Sequence, residues 1–199
     1  DGTYASPVKN ITVNPRALIS GSGQASEGND YSVTLDANPA FDAGSSIAWS
    51  IDWGDGTVTE NITDTTDAIN HVYADNAQYT IIASAVVDGQ TYQTTQHMVT
   101  VSDVAPDITV IGLNDVNALE SVSLEFDATD VGLDTVSQWI INWGDGMTSV
   151  VAGDVLEANH TYSQADIYNV TVTAVDEDGV HDAADYPILV RGEELLDFT

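Results

Sequence analysis

Carboxylates are the residues of this sequence that could do chemistry. The 199-residue chain has 32 Asp and Glu but only 3 Lys and Arg, which gives a formal net charge of −29. Ca²⁺ requires several hard oxygen ligands of the kind that carboxylates supply at strand ends and loops. In the second half of the chain, five acids stand at predicted strand ends and are the candidate ligands of a calcium site; the alternative is that they form a merely solvated surface. These five residues are Glu120, Asp127, Asp130, Asp176 and Asp178.

Other metal patterns are absent or weak. An EF-hand loop that began at Asp176 would place Val180 and Pro187 at two positions that need oxygen side chains, so this pattern fails. Zinc needs three or four convergent ligands, which the spacing of the four histidines does not show. His71 and His160 occupy equivalent places in a repeat, so we expect a structural hydrogen bond there. His181 is interpreted as a lone surface histidine.

Catalytic motifs are also missing. The sequence has no Gly-x-Ser-x-Gly elbow, no phosphate-binding glycine loop and no His-Glu-x-x-His motif. Zero cysteines exclude thiol catalysis, disulfides and zinc–thiolate sites. Paired carboxylates of the glycosidase type stay open, because acids are everywhere in this chain. We predict a protein that is not an enzyme.

Two similar stretches organise the chain, Trp49–Gly56 and Trp139–Gly146, and they contain all four tryptophans. Each alternates large apolar residues with mostly polar ones, which predicts a strand with its tryptophans on one face. Each then stops at Gly-Asp-Gly, where glycine permits positive φ and Asp can bond nearby backbone N–H groups. We therefore interpret the Asp of this motif as a turn residue rather than a catalytic one.

The order of patterns after this turn is the same in both halves. A His-x-Tyr motif comes next, and an alternating strand that begins at Tyr79 or Tyr168 follows it. The pattern Asp-x-Ala-x-Tyr that ends at Tyr79 is typical of a tyrosine corner, in which the hydroxyl bonds back to the backbone. Neither half has a helical period. Short strands with frequent turns predict an all-β protein of two tandem β-sandwiches, 1–103 with an N-terminal linker and 104–199.

These motifs resemble the polycystic-kidney-disease (PKD) family of immunoglobulin-like domains. Its hallmarks are Trp-x-x-x-Trp-Gly-Asp-Gly, then His-x-Tyr, then Tyr-x-Val-x-Val, and both halves carry them in order, with Ile81 and Ala83 in place of the valines in the first half. The resemblance covers 15–102 and 106–191. It implies two-sheet sandwiches, an extracellular location and a non-enzymatic role. It also implies calcium, which some PKD and cadherin-like domains bind where strand ends meet the interdomain linker.

The charge limits the partners. A strongly acidic surface repels phosphate backbones and anionic lipids, so we expect no nucleic-acid partner. No apolar run approaches the ~20 residues of a membrane span, so we expect no membrane insertion. Self-repulsion should strain the folded state unless salt or bound cations relieve it.

Two functions remain for such a chain. The first is an extracellular structural or adhesive spacer of a larger secreted or cell-surface protein, stabilised by calcium, whose partners are the other domains of that protein. The alternative is an accessory module of a secreted hydrolase that binds a polysaccharide or a surface protein. Sugar binders stack rings on exposed aromatics. The tryptophans lie on predicted core strands, which leaves Tyr4, Tyr92 and Tyr31 for a surface and favours the spacer.

Overall fold

The structure is a computed structural model that describes residues 16–37, 46–63 and 67–192. The predicted N-terminal linker up to residue 15, including Tyr4, lies outside these residues. The chain divides into two compact units, Asp1–Ser102 and Asp103–Thr199, one residue before the expected boundary. Within the described ranges, no helix is long and apolar enough to cross a membrane.

The first domain contains nine strands in its described part. They are β1 (Ala17–Gly21), β2 (Gln24–Ser26), β3 (Asp30–Ala37), β4 (Ile47–Asp52), β5 (Val58–Ile62), β6 (Ile69–Val72), β7 (Ala77–Val87), β8 (Gln90–Gln93) and β9 (His97–Ser102). One sheet has the order β1-β3-β6. The other has the order β2-β9-β7-β4-β5, with β8 also paired to β7.

The second domain repeats this arrangement. Its strands are β10 (Asp107–Gly112), β11 (Asp115–Asn117), β12 (Ser121–Thr129), β13 (Gln138–Asn142), β14 (Thr148–Ala152), β15 (Glu157–Thr161), β16 (Asp166–Val175), β17 (Val180–Asp182) and β18 (Tyr186–Arg191). One sheet has the order β10-β12-β15. The other has the order β11-β18-β16-β13-β14, with β17 paired to β16.

The predicted all-β, immunoglobulin-like architecture is confirmed in both domains. Among the strands of the described residues, all pairs are antiparallel except β2 with β9 and β11 with β18, which are parallel. Strands alternate buried and exposed residues because one face of each sheet packs on the core and the other meets water. In β3, for example, Tyr31, Val33 and Leu35 are buried while their neighbours are exposed or half-buried.

Each domain has its own hydrophobic core, built around the repeated tryptophans. Trp53 and Trp143 are completely buried, and Trp49 and Trp139 are almost so. Aliphatic residues of the neighbouring strands, such as Ile81 in the first domain and Val172 in the second, and of the facing sheet, such as Val33 and Leu124, complete each core. The expected inward orientation of the tryptophans is therefore confirmed.

The Gly-Asp-Gly turn needs glycine at its first position. Gly54 has φ +84° and Gly144 has φ +81°. A Cβ on Gly54 would lie 2.6 Å from the carbonyl oxygen of Thr80, and one on Gly144 would lie 2.7 Å from that of Asn169. Only a glycine can turn the chain so close to the neighbouring strand.

Truncation of the buried tryptophans tests the two-core structure. We expect Trp53→Ala and Trp143→Ala each to cost about 3–5 kcal/mol, the usual penalty for deleting a large buried aromatic side chain. Each substitution should lower the melting transition of its own domain, followed by calorimetry. An unchanged transition in either variant would contradict the assignment of that core.

Candidate functional site

The best-organised polar group of each domain is the Asp–His pair of the repeated motifs. Nε2 of His71 lies 2.7 Å from Oδ2 of Asp55, and Nε2 of His160 lies 2.7 Å from Oδ2 of Asp145. The Asp comes from the Gly-Asp-Gly turn and the His from β6 or β15. Because β6 and β15 belong to the smaller sheet, each pair links the two sheets of its sandwich. The structural hydrogen bond expected for these histidines is confirmed.

Aromatic rings surround each imidazole. In the first domain, the ring of His71 stacks on Trp53, with centroids 4.5 Å apart and planes 9° apart. The edge of Tyr73 meets the same imidazole at 4.6 Å, and Tyr79 stacks on Tyr73 at 4.5 Å. The second domain repeats this order of rings with centroid distances of 4.2–4.8 Å. The imidazole is therefore enclosed on its faces and edge.

The hydroxyl groups of these tyrosines bond to the backbone. Tyr73 donates to the carbonyl oxygen of Trp53 at 3.1 Å, so the strand that ends at the turn is tied to the His-x-Tyr segment. Tyr79 donates to the carbonyl of Asp75 at 2.9 Å, and Tyr168 donates to that of Gln164 at 3.1 Å. These bonds confirm the tyrosine corner that the sequence pattern predicted.

The electrostatics of the pair favour an ionised Asp. Burial raises the pKa of Asp55, but hydrogen bonds from Thr57 and His71 lower it by more than burial raises it. The net pKa is therefore below the ordinary value of 3.8. In the second domain, burial likewise raises the pKa of Asp145, and hydrogen bonds from the Met147 N–H and from His160 outweigh it. Burial also raises the pKa of Tyr73. The site thus keeps a carboxylate anion next to tyrosines that stay protonated.

This arrangement is suited to holding the fold. The second oxygen of Asp55 accepts the N–H and hydroxyl of Thr57, and that of Asp145 accepts the N–H of Met147. Both oxygens of the carboxylate are hydrogen-bonded, and the imidazole contacts an indole and a phenol ring. A general base needs hydrogen-bond reach to a substrate proton, which this packing does not offer. The pair therefore acts as a structural link.

The position of His181 differs from the expectation. It was interpreted as a lone surface histidine, but its side chain is only 12% exposed and its Nε2 lies 2.9 Å from Oδ2 of Asp176. Oδ1 of Asp176 accepts the N–H groups of Asp178 and Gly179, which closes the turn between β16 and β17. Burial raises the pKa of Asp176, and these contacts lower it below its ordinary value. The carboxylate of Asp176 thus holds the imidazole of His181 against the turn.

The five predicted calcium ligands lie in different local settings. Glu120 accepts hydrogen bonds from Asn117 in the turn that precedes β12, and Asp127 bonds the N–H of the next residue. Asp130 accepts the N–H of Gly132, and its other oxygen is buried with no hydrogen bond within the described part of the chain. Asp176 is committed to its turn and to His181.

One predicted ligand belongs to a compact acidic cluster. Asp178 offers a carboxylate oxygen within 4.8 Å of those of Asp103 and Asp134. We refer to these three residues as the acidic cluster of the second domain. Asp103 begins this domain, and Asp134 lies in the loop that precedes β13. Sequence reasoning missed Asp134 because its loop shows no motif.

Comparison with known proteins agrees with this geometry. Residues 103–188 match the family model of the PKD domain. The second domain is therefore similar to PKD domains, and the first domain repeats its motifs, sheet order and Asp–His–Trp geometry. Domains of this kind are typical extracellular structural or adhesive modules. No curated protein sequence matches the chain.

Three solved structures are similar in part. The fibronectin(III)-like modules of Clostridium thermocellum CbhA are 18% identical, with a TM-score of 0.37 over 92% of this chain and 98% of theirs. The PKD domain of human SorCS2 is 21% identical, with a TM-score of 0.37 over 46% of this chain and 76% of that one. The Yersinia pseudotuberculosis adhesin InvE is 17% identical, with a TM-score of 0.40 over 89% of this chain and 58% of that one.

Acid sensitivity tests the structural role of the Asp–His pair. Because the folded pKa of Asp145 is below 3.8, its stabilising effect is fully present above that pH and is lost as the pH falls through the folded pKa. We expect Asp145→Asn to cost about 1–3 kcal/mol at neutral pH, as for a hydrogen bond to a charged group. The cost should shrink below pH 3.8.

Chemical denaturation from neutral to acidic pH measures this difference. Asp107→Asn, which removes an exposed carboxylate from β10, is the matched control and should change stability equally little at every pH. If Asp145→Asn followed the control, the hydrogen bond between Asp145 and His160 would have no structural role.

Proposed function

We propose that this chain is a non-catalytic spacer or adhesive module of a larger extracellular protein. The observation that carries the proposal is the use of the motif residues inside each domain. The tryptophans are buried, the histidines pack against aromatic rings, and both oxygens of each turn carboxylate are hydrogen-bonded. Residues that could do chemistry hold the sandwich together, so the surface is left for contacts with other domains or molecules.

The aromatic residues favour the spacer over a sugar-binding accessory module. Tyr31 is buried and bonds to Ser22 and His97, so it offers no surface ring, contrary to the expectation. Tyr92 is half-buried and packs against the core of the first domain. Within the described residues no aromatic side chain is exposed, whereas sugar binding of the stacking type needs exposed rings.

Affinity electrophoresis of the purified chain in polysaccharide gels separates the two functions. For a spacer we expect unchanged mobility with cellulose, chitin and pectin derivatives, because none of the aromatic rings in the described part of the chain is exposed for stacking. Retardation by any of them, abolished by Tyr92→Ala and not by Thr91→Ala on the same strand, would overturn the spacer in favour of the accessory module.

We also propose that a calcium ion stabilises the second domain. The support is the acidic cluster of Asp103, Asp134 and Asp178, since three carboxylates within 4.8 Å repel one another unless a cation shares them. Ca²⁺ accepts such ligands in a flexible geometry, and extracellular modules commonly bind it at roughly 10⁻⁴–10⁻³ M. Asp178, one of the five residues predicted from sequence, belongs to this cluster, which supports the proposal.

Thermal unfolding of chelator-treated protein tests the ion. A ligand that binds only the folded state stabilises it by RT ln(1 + [L]/Kd), so a tenfold excess over Kd should add about 1.4 kcal/mol. Magnesium at equal ionic strength should add less, because it demands a stricter octahedron. The calcium increment should vanish in Asp178→Asn and persist in Asp107→Asn. Equal shifts with both ions in all proteins would mean that calcium only screens charge.

A further inference from the structure

A groove of about 600 Å³ lies on the outer face of the sheet β10-β12-β15 in the second domain. Four carboxylates line it, from Glu125, Asp127, Asp154 and Glu157. Its volume is within the range of sites that bind small molecules or single side chains of a partner. We call this feature the acidic groove.

The carboxylates of the acidic groove face one another at unfavourable positions. Glu125 and Glu157 are directly opposite on neighbouring strands β12 and β15. Side chains in such pairs have Cβ atoms about 4.5–5.5 Å apart, and like charges there are destabilising. A cation from outside would convert this repulsion into attraction.

Aliphatic side chains lie beside these acids. Ile111 is 65% exposed, Leu156 46% and Val155 41%. All three line the groove. Exposed aliphatic groups next to carboxylates match the two parts of a Lys or Arg side chain, which covers apolar surface with its methylene stem and keeps its charged head at a polar site.

The first domain shows that the fold does not require this chemistry. In the first domain Ser20 lies opposite Thr34, and their hydroxyls are hydrogen-bonded at 2.8 Å. The equivalent pair in the second domain is Ile111 opposite Glu125. Ala68, the residue before β6, is the counterpart of Glu157, the first residue of β15. At these three positions the sheet face carries Ser20, Thr34 and Ala68 in the first domain but Ile111, Glu125 and Glu157 in the second, whereas the next exposed position is acidic in both, as Asp36 and Asp127.

We propose that the acidic groove docks an extended basic segment of another protein, with a Lys or Arg beside an aliphatic residue. The carboxylates pair with the cationic head, and the exposed aliphatic residues cover its stem and the neighbouring apolar side chain. A partner is the richer source of such a cation, because this chain has only 3 Lys and Arg, one of which, Arg191, is paired with Asp115. The proposal is independent of the calcium ion.

NMR titration of the intact chain with a capped peptide of alternating leucine and lysine tests this docking. At an ionic strength near 0.15 M, where the Debye length is about 8 Å, distant charges are screened. We expect shift changes confined to β10, β12 and 154–157. A peptide with glutamine in place of lysine should give no saturable changes.

Variants that copy the first domain keep the fold and remove the site. The triple change Ile111→Ser, Glu125→Thr and Glu157→Ala should weaken binding about tenfold or more, since two ion pairs and an apolar contact are lost. Ile111→Ser alone should weaken it without changing the charge. Dispersed amide shifts in the free variants show that they are folded.

A charge-matched control distinguishes docking from general attraction to a chain of net charge −29. Glu60→Gln with Asp88→Asn removes two carboxylates from the first domain and should leave binding unchanged. Equal weakening by this control and by the triple variant would overturn the proposal. So would shift changes spread over the acidic surface, unchanged binding by Ile111→Ser, or full displacement of the peptide by equimolar calcium.

Discussion

The hydrogen bond between the turn carboxylate and the imidazole joins the two sheets of each sandwich, and much of the surrounding structure serves it. Asp55 follows β4 of the larger sheet, and His71 belongs to β6 of the smaller one. Partly buried polar groups are costly unless they are paired. The two sheets must therefore pack so that the carboxylate and the imidazole are within hydrogen-bond distance. The stacked indole and the tyrosine hydroxyl on the Trp53 carbonyl hold the imidazole in that place.

The parts of the fold that depend on local spacing could be predicted from the sequence. Alternation places Trp49, Ile51 and Trp53 on one face, and a tyrosine corner needs only five consecutive residues. The three-residue strands β2 and β11 could not be predicted in this way, because they are too short for a pattern and pair in parallel with distant strands. The irregular register between β4 and β5, next to Asn61 with φ +59°, also has no sequence signature.

The candidate sites were harder to predict, because they depend on convergence over long distances along the chain. The acidic cluster brings together residues from the domain start, a loop and a hairpin turn, and only Asp178 was predicted for it. The acidic groove depends on strand register, which puts Glu125 opposite Glu157. With 32 acids, sequence spacing identifies many equivalent sets and cannot rank them. His181 illustrates the same limit, since its partner Asp176 is identified only by the turn geometry.

The tandem repeat supplies an internal comparison that separates folding from recognition. The hydrogen-bonded residues of the repeated motifs are the same in both domains, as with Asp55 and Asp145, because a change there would leave a partly buried polar group unpaired. Solvent-facing positions are under no such constraint, and there the domains differ, as with Thr34 and Glu125. Adding like charges to a molecule of net charge −29 costs stability unless something relieves the repulsion. A face where acids oppose each other beside exposed aliphatics is therefore better explained by an external partner than by the needs of the fold.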